Sequence, residues 1–301
     1  MPTSKLVAVF AIITMLWRTD IYAQNEKDFE EISFSFELYR SPQLVLPYRQ
    51  AVISQNDSPT RMVIYLHGGT CKGNDNTKQM AEPGIDSIAQ YLSKNNLNAV
   101  FIIPQCPADE SWGGRLTEVI KNLIEDRKDA FNDIKDVYIL GGSMGGTGTW
   151  TMLSKYPGLF SAGMPVAGNP SKCDVSNVAQ TPLLTVMGTE DRIMGIEAVT
   201  DFTIQLEGMG AQYVFEVVDG WTHEDTCIKS YTSDRLEWVF SNTKQPDDSG
   251  ITPVDVEQRL VIETKYWTLS GVLVENPSYG FYIMQQKYSD SSVKTKKIYI
   301  K

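Results

Sequence analysis

From about Ile32 to Phe240 short apolar runs recur along the chain, each separated from the next by a segment of mixed polarity. The runs are MVIYL (62–66), AVFII (99–103), VYIL (137–140), AGMPVA (162–167), LLTVM (183–187) and YVFEVV (213–218). They are nearly continuous, as strands are when helices cover both faces of a parallel sheet. Between them Ile85, Ile88, Ala89 and Leu92 follow the i, i+3, i+4, i+7 spacing of a helix face, as do Leu116, Val119, Ile120, Leu123 and Ile124. Trp150 and Leu153 belong to a further helix, and Leu236, Val239 and Phe240 mark the inner face of a last one. Strands alternating with amphipathic helices predict an α/β fold on a mostly parallel, doubly wound sheet.

After Phe240 the pattern stops. SNTKQPDDSGITPVD (241–255) is polar and aperiodic, the composition of a linker. The segment beyond it alternates β-branched and aromatic residues, with turn signals at Asn276-Pro277 and Tyr279-Gly280, and predicts a small β appendage. At the other end Lys5 precedes an apolar run, Leu6 to Trp17, and a polar stretch to Ala23. That is the layout of a cleavable export signal, and the run is short of the ~20 residues a bilayer span requires. The expected organisation is therefore an export signal over 1–23, the α/β domain over 24–242, a linker over 243–256 and a β-rich tail over 257–301. No later segment of the sequence reads as a membrane span.

Composition narrows the partners. The 301 residues are 42% hydrophobic and 21% charged, ordinary for a globular protein with a sizeable core. A formal charge of −10 repels nucleic acid and anionic membrane surfaces and favours neutral substrates. The four cysteines, Cys71, Cys106, Cys173 and Cys227, have no metal-site spacing. In an exported protein an even count permits disulfides, with three possible pairings.

Chemistry concentrates at three strand ends. Gly141-Gly142-Ser143-Met144-Gly145 matches G-x-S-x-G and lies between the strand VYIL and the helix of Trp150, where a sharp turn would expose the serine hydroxyl. A serine hydroxyl needs a general base, and the base needs an orienting acid. Of the two histidines, His223 lies just beyond YVFEVV, in a loop expected at the carboxyl edge of the sheet. His67 precedes both the serine and any acid, which suits a bracing role. Asp191, after LLTVM, is the expected acid, with Glu190 its rival. The order Ser143, Asp191, His223 is the α/β-hydrolase order. His67-Gly68-Gly69-Thr70 follows the strand MVIYL, so Gly69 and Thr70, with Met144, are the expected N–H donors to an oxyanion. Trp112 and Trp221 are candidate walls of a substrate pocket. No phosphate-binding glycine motif stands in the required setting, and the chemistry calls for no metal or cofactor.

LHGGTCKGNDN, IIPQCPADESWGG, VYILGGSMGGTGTW and YPGLFSAGMPVAGNP resemble the secreted esterase branch of the α/β-hydrolases. That branch includes feruloyl and acetylxylan esterases, polyhydroxybutyrate depolymerases, and phospholipase, carboxylesterase and peptidase-like relatives. The resemblance, over about 60–240, implies Ser143, Asp191 and His223 as the triad. Similar proteins often carry alanine and a charged residue after "HG", where this chain has Gly69, Thr70 and Cys71. If oxidised, Cys71 with Cys106 would join two strand-end loops, and Cys173 with Cys227 would pin the histidine loop. The tail YWTLSGVLVENPSYGFYI, ending KTKKIYIK, resembles the sorting domain of type IX secretion cargo.

Together these readings lead to a serine carboxylesterase exported to the medium, the cell surface or the periplasm. They imply acylated polysaccharide or a small ester as substrate, and a secretion machinery that recognises the tail. The alternatives are a prolyl-oligopeptidase-type serine peptidase, a polyester or lipid esterase and, from another class, a non-enzymatic glycan-binding surface protein.

Overall fold

The computed structural model describes residues 32–55, 58–244, 261–268, 271–277, 280–288 and 293–300. The expected export signal and most of the linker lie outside the described residues.

Eight strands form one sheet in the order β1-β2-β4-β3-β5-β6-β7-β8. The strands are β1 (Ser35–Arg40), β2 (Val45–Ile53), β3 (Arg61–Leu66), β4 (Ala99–Pro104), β5 (Asp136–Gly142), β6 (Ala162–Val166), β7 (Leu183–Glu190) and β8 (Tyr213–Thr222). From β4 to β8 every pairing is parallel. The six apolar runs occupy these six strands. The antiparallel pair β1–β2, joined to the sheet through β4, carries no comparable run and was not among the strands expected. β1 presents Phe36 and Leu38 to solvent, which hides the usual burial signal.

Alternation along the strands divides the core. Met62, Ile64, Val100, Ile102, Val137 and Ile139 face helices α2 (Arg115–Phe131), α3 (Met144–Lys155) and α5 (Ile196–Gly208). Val63, Tyr65, Phe101, Ile103, Tyr138 and Leu140 face α1 (Pro83–Lys94) and α7 (Ser233–Ser241). The strands are apolar on both sides because both sides are covered. Two short helices, α4 (Val175–Val178) and α6 (His223–Lys229), complete the domain. The expected β appendage is a second, antiparallel sheet in the order β10-β9-β11-β12: β9 (Val261–Thr268), β10 (Leu273–Val274), β11 (Gly280–Tyr288) and β12 (Val293–Ile300).

Neither pairing considered for the oxidised cysteines is present in the structure. All four thiols are free, and Cys173 packs on the α3/α5 side of the sheet while Cys227 packs on the α1/α7 side, so the sheet itself separates that pair. Cys71 and Cys106 lie in adjoining loops, but the Cys71 thiol faces Thr70 and the Cys106 thiol donates to the Pro107 carbonyl.

Candidate active site

In a parallel sheet all carboxyl ends open on one edge, so residues that follow β3, β5, β7 and β8 meet there although they are distant in sequence. Ser143 follows β5 directly and caps α3. Its backbone, at φ 58° and ψ −120°, lies in the left-handed half of conformational space. For a non-glycine residue this strain costs about 1–3 kcal/mol and persists only where the surroundings enforce it. Here the Ser143 N–H is held by the Val166 carbonyl of β6 at 3.0 Å. Behind the turn the helix lies directly on the sheet. A Cβ on Gly145 would stand 1.8 Å from the Leu66 carbonyl oxygen, and one on Gly146 2.2 Å from that of Val166. A side chain at either position would push α3 off the sheet and move the serine with it.

The structure brings Ser143, Asp191 and His223 together. His223 Nε2 lies 2.8 Å from the Ser143 hydroxyl, and His223 Nδ1 lies 2.7 Å from Asp191 Oδ2. The other Asp191 oxygen, Oδ1, accepts the N–H groups of Ile193 and Met194 at 2.9 and 2.8 Å. With the carboxylate buried and acceptor-only, Nδ1 carries the ring proton, which leaves Nε2 as the acceptor facing the serine. His223 is not in an open loop as expected. It is the first residue of α6, fixed by a capping box in which Thr222 Oγ1 accepts the Asp225 N–H and Asp225 Oδ2 accepts the Thr222 N–H. Thr189 of β7 ties in Asp219 and the Gly220 N–H of β8, which joins the strand ends that carry acid and base.

The choice between the two acids is made by direction. The Asp191 side chain is wholly buried against His223, whereas Glu190 is half exposed and pairs with Arg192 at 3.4 Å. The parity of the chain leaving β7 turns one inward and the other out.

On the opposite side of Ser143 runs the HGGT turn, a single 3-10 turn over Gly69–Cys71. A Cβ on Gly68 would lie 3.7 Å from that of Ser143, so the turn passes against the serine. The Gly68 N–H is taken by Glu82 Oε1 at 2.8 Å and the Cys71 N–H by the Gly68 carbonyl at 3.3 Å. Gly69 and Thr70 keep N–H groups without a partner among the described residues. Met144 supplies the third free N–H, at the first position of α3, where helix geometry leaves donors unsatisfied.

His67 is the second histidine and serves differently. Its Nδ1 donates to the Gly68 carbonyl at 2.7 Å, and its Nε2 accepts the Cys106 N–H at 2.9 Å. Burial lowers its pKa to about 4, so it stays neutral. His67, Cys71 and Glu82 have donor atoms within 4.8 Å of one another, but both His67 nitrogens are committed to backbone, and the cluster is a hydrogen-bonded brace. Trp112, expected on a pocket wall, is only 4% exposed. Its indole N–H donates to the His67 carbonyl at 2.8 Å, so it supports the turn from within the core. Trp221 is half-buried on β8, its ring flanked by Lys229 and Arg235.

No protein-family model matches the sequence, and no curated protein does. Solved structures do match. A thermostable esterase is similar over 70% of this chain, with 26% identity and a TM-score of 0.64. An acylaminoacyl peptidase from Pyrococcus horikoshii is similar over 76%, with 13% identity and a TM-score of 0.58. The chain spans 63% of the first of these proteins and 45% of the second. The fold is that of the α/β-hydrolases. A feruloyl esterase module from Clostridium thermocellum, complexed with sinapinate, shares it at 15% identity and a TM-score of 0.54, over 71% of this chain and 90% of its own. Within an α/β-hydrolase fold, an acid after β7 and a histidine after β8 meet the serine after β5 by topology alone.

Proposed function

We propose that this chain is a serine hydrolase of carboxylic esters. The observation that carries the reading is the unbroken hydrogen-bonded line from Asp191 Oδ2 through His223 to Ser143 Oγ, with each step at 2.7 or 2.8 Å. Similarity to a thermostable esterase at 26% identity supports the same reaction class.

His223 Nε2 takes the Ser143 proton as Oγ attacks the ester carbonyl, and Asp191 stabilises the imidazolium that forms. The oxyanion of the tetrahedral intermediate receives N–H groups from Met144 and from Gly69 or Thr70. His223 then returns the proton to the leaving alcohol. A water deprotonated by His223 releases the acid from the acyl-serine. A protonated His223 can accept nothing from Ser143, so activity falls on the acid side.

The proposed substrates are feruloyl or acetyl esters on plant cell-wall polysaccharide, with 24–242 as the catalytic domain, 1–23 as an export signal and 257–301 as a tail read by the secretion machinery. The acidic composition, the resemblance of the sequence motifs and the fold shared with a feruloyl esterase module favour that class. The test is acid release from feruloylated and acetylated xylo-oligosaccharides, methyl ferulate and p-nitrophenyl acetate, beside matched amides, for wild type and Ser143→Ala. Release from the oligosaccharides, lost in the variant, is expected. Cleavage of p-nitrophenyl acetate alone would remove the polysaccharide assignment, and faster cleavage of amides would replace the ester reading with a peptidase.

A further inference from the structure

Glu82 was not among the residues singled out by sequence, yet its carboxylate bonds Gly68, the residue next to the candidate donors Gly69 and Thr70. It immediately precedes Pro83, the first residue of α1, and its carboxylate turns back beneath the HGGT turn. Oε1 accepts the Gly68 N–H at 2.8 Å, and Oε2 accepts the hydroxyl of Tyr65, on β3, at 3.3 Å. The Cys71 thiol, at the far end of the turn, lies within 4.8 Å. Burial holds the Tyr65 phenol well above its ordinary pKa, and burial followed by the Glu82 charge pushes the Cys71 thiol up to about 11, so both keep their protons.

The Gly68 peptide is thus tied at both ends. Its N–H goes to Glu82, while its carbonyl accepts His67 Nδ1–H and the Cys71 N–H. A Cβ on Gly68 would meet Glu82 Oε1 at 3.0 Å on one side and the Ser143 Cβ at 3.7 Å on the other, so Gly68 is the wedge between carboxylate and serine. Glu82 therefore works through Gly68. Resting on the ester-hydrolase reading above, we infer that Glu82 is the positioning residue of the oxyanion turn: by clamping the Gly68 amide it directs the Gly69 and Thr70 N–H groups to the space beside Ser143. What the turn needs is an acceptor at this point. A negative charge near a developing oxyanion is electrostatically unfavourable, so charge is not the useful property.

That distinction sets the test. Glu82→Gln keeps an acceptor for Gly68 and removes the charge, and is expected to retain kcat within about threefold or to raise it. Glu82→Ala frees the amide. Its kcat should fall roughly ten- to hundredfold, somewhat less than loss of a donor itself costs, with KM within about twofold. A trifluoromethyl ketone, whose adduct with Ser143 places an oxyanion in the same hole, should lose affinity by the same factor as kcat, while thermal melting confirms a folded protein. Should the alanine variant fail to fold, Glu82→Asp, one methylene too short to reach Gly68, carries the same comparison. Unchanged kcat in a folded Glu82→Ala, a glutamine variant as impaired as alanine, or a kcat loss without loss of ketone affinity would each overturn the inference while leaving the hydrolase standing. A wild type that neither cleaves esters nor forms the ketone adduct would remove the hydrolase reading, and this inference with it.

Discussion

The turn after β3 and the turn after β8 each present a histidine at the carboxyl edge of one sheet, and the two differ in burial and in what their nitrogens meet. His67 is fully buried, bonded on both nitrogens to backbone, and lowered to a pKa of about 4. His223 keeps 14% of its side chain exposed and spends its nitrogens on a carboxylate and a hydroxyl. An imidazole whose partners are peptide groups has no proton to exchange with a substrate; it is a rigid two-ended spacer. The same ring between an ionised acid and an alcohol is a proton carrier. Burial and partners together make the difference.

The sharpest way to break this contrast is to remove the alcohol. Ser143→Ala should lower kcat by about four to six powers of ten and abolish labelling by a fluorophosphonate probe, read by mass spectrometry of the labelled peptide. His223→Ala should match it, and combining the two should add little, because the groups act as a unit. Next comes the orienting acid. Asp191→Asn, which favours the wrong tautomer of His223, should cost roughly 10³–10⁴ in kcat with the fold intact, whereas Glu190→Gln should stay within about twofold. Equal loss in both would mean that the acid is misassigned.

The brace answers to stability. The folded protein keeps His67 neutral to about pH 4, while the unfolded chain protonates it near 6.5. The stability contributed by neutral His67 is therefore intact above pH 6.5 and is lost as pH falls from 6.5 towards 4, by roughly 3 kcal/mol. His67→Gln should flatten that dependence in denaturant unfolding measured across this range. If the slope survives, other groups carry it. The smallest effect concerns the cysteines: with all four thiols free, reductant should leave the melting temperature unchanged, and a thiol titration of the unreduced, unfolded chain should find four.

How much was legible depends on the range of the signal. The parallel strands were readable because burial on both faces leaves an apolar run, and Ser143 because a strand, two glycines and a helix surround it within a few residues. The pair β1–β2 left no such trace. Asp191 and Glu190 are neighbours of the same chemistry, and only the direction of the chain leaving β7 separates them. Trp112 offered an aromatic ring but no sign that its N–H would be spent on His67. Glu82 carries no local motif at all: its partner Gly68 is 14 residues away across a turn and a helix start. The Cys173–Cys227 pairing failed because spacing along a chain contains nothing about which side of a sheet a residue faces.

By itself the sequence determined what is local: the six parallel strands and the amphipathic helices between them, which serine stands on a forced turn, and the order of serine, acid and histidine. Those follow from periodicity and backbone sterics over a few residues. The tertiary structure alone decided which acid turns inward, that both His67 nitrogens are spent on backbone, that Trp112 and Glu82 stand behind the turn rather than in a pocket, and that Cys173 and Cys227 stay apart. Each of these depends on distances between residues that only the packing of helices on the sheet brings together.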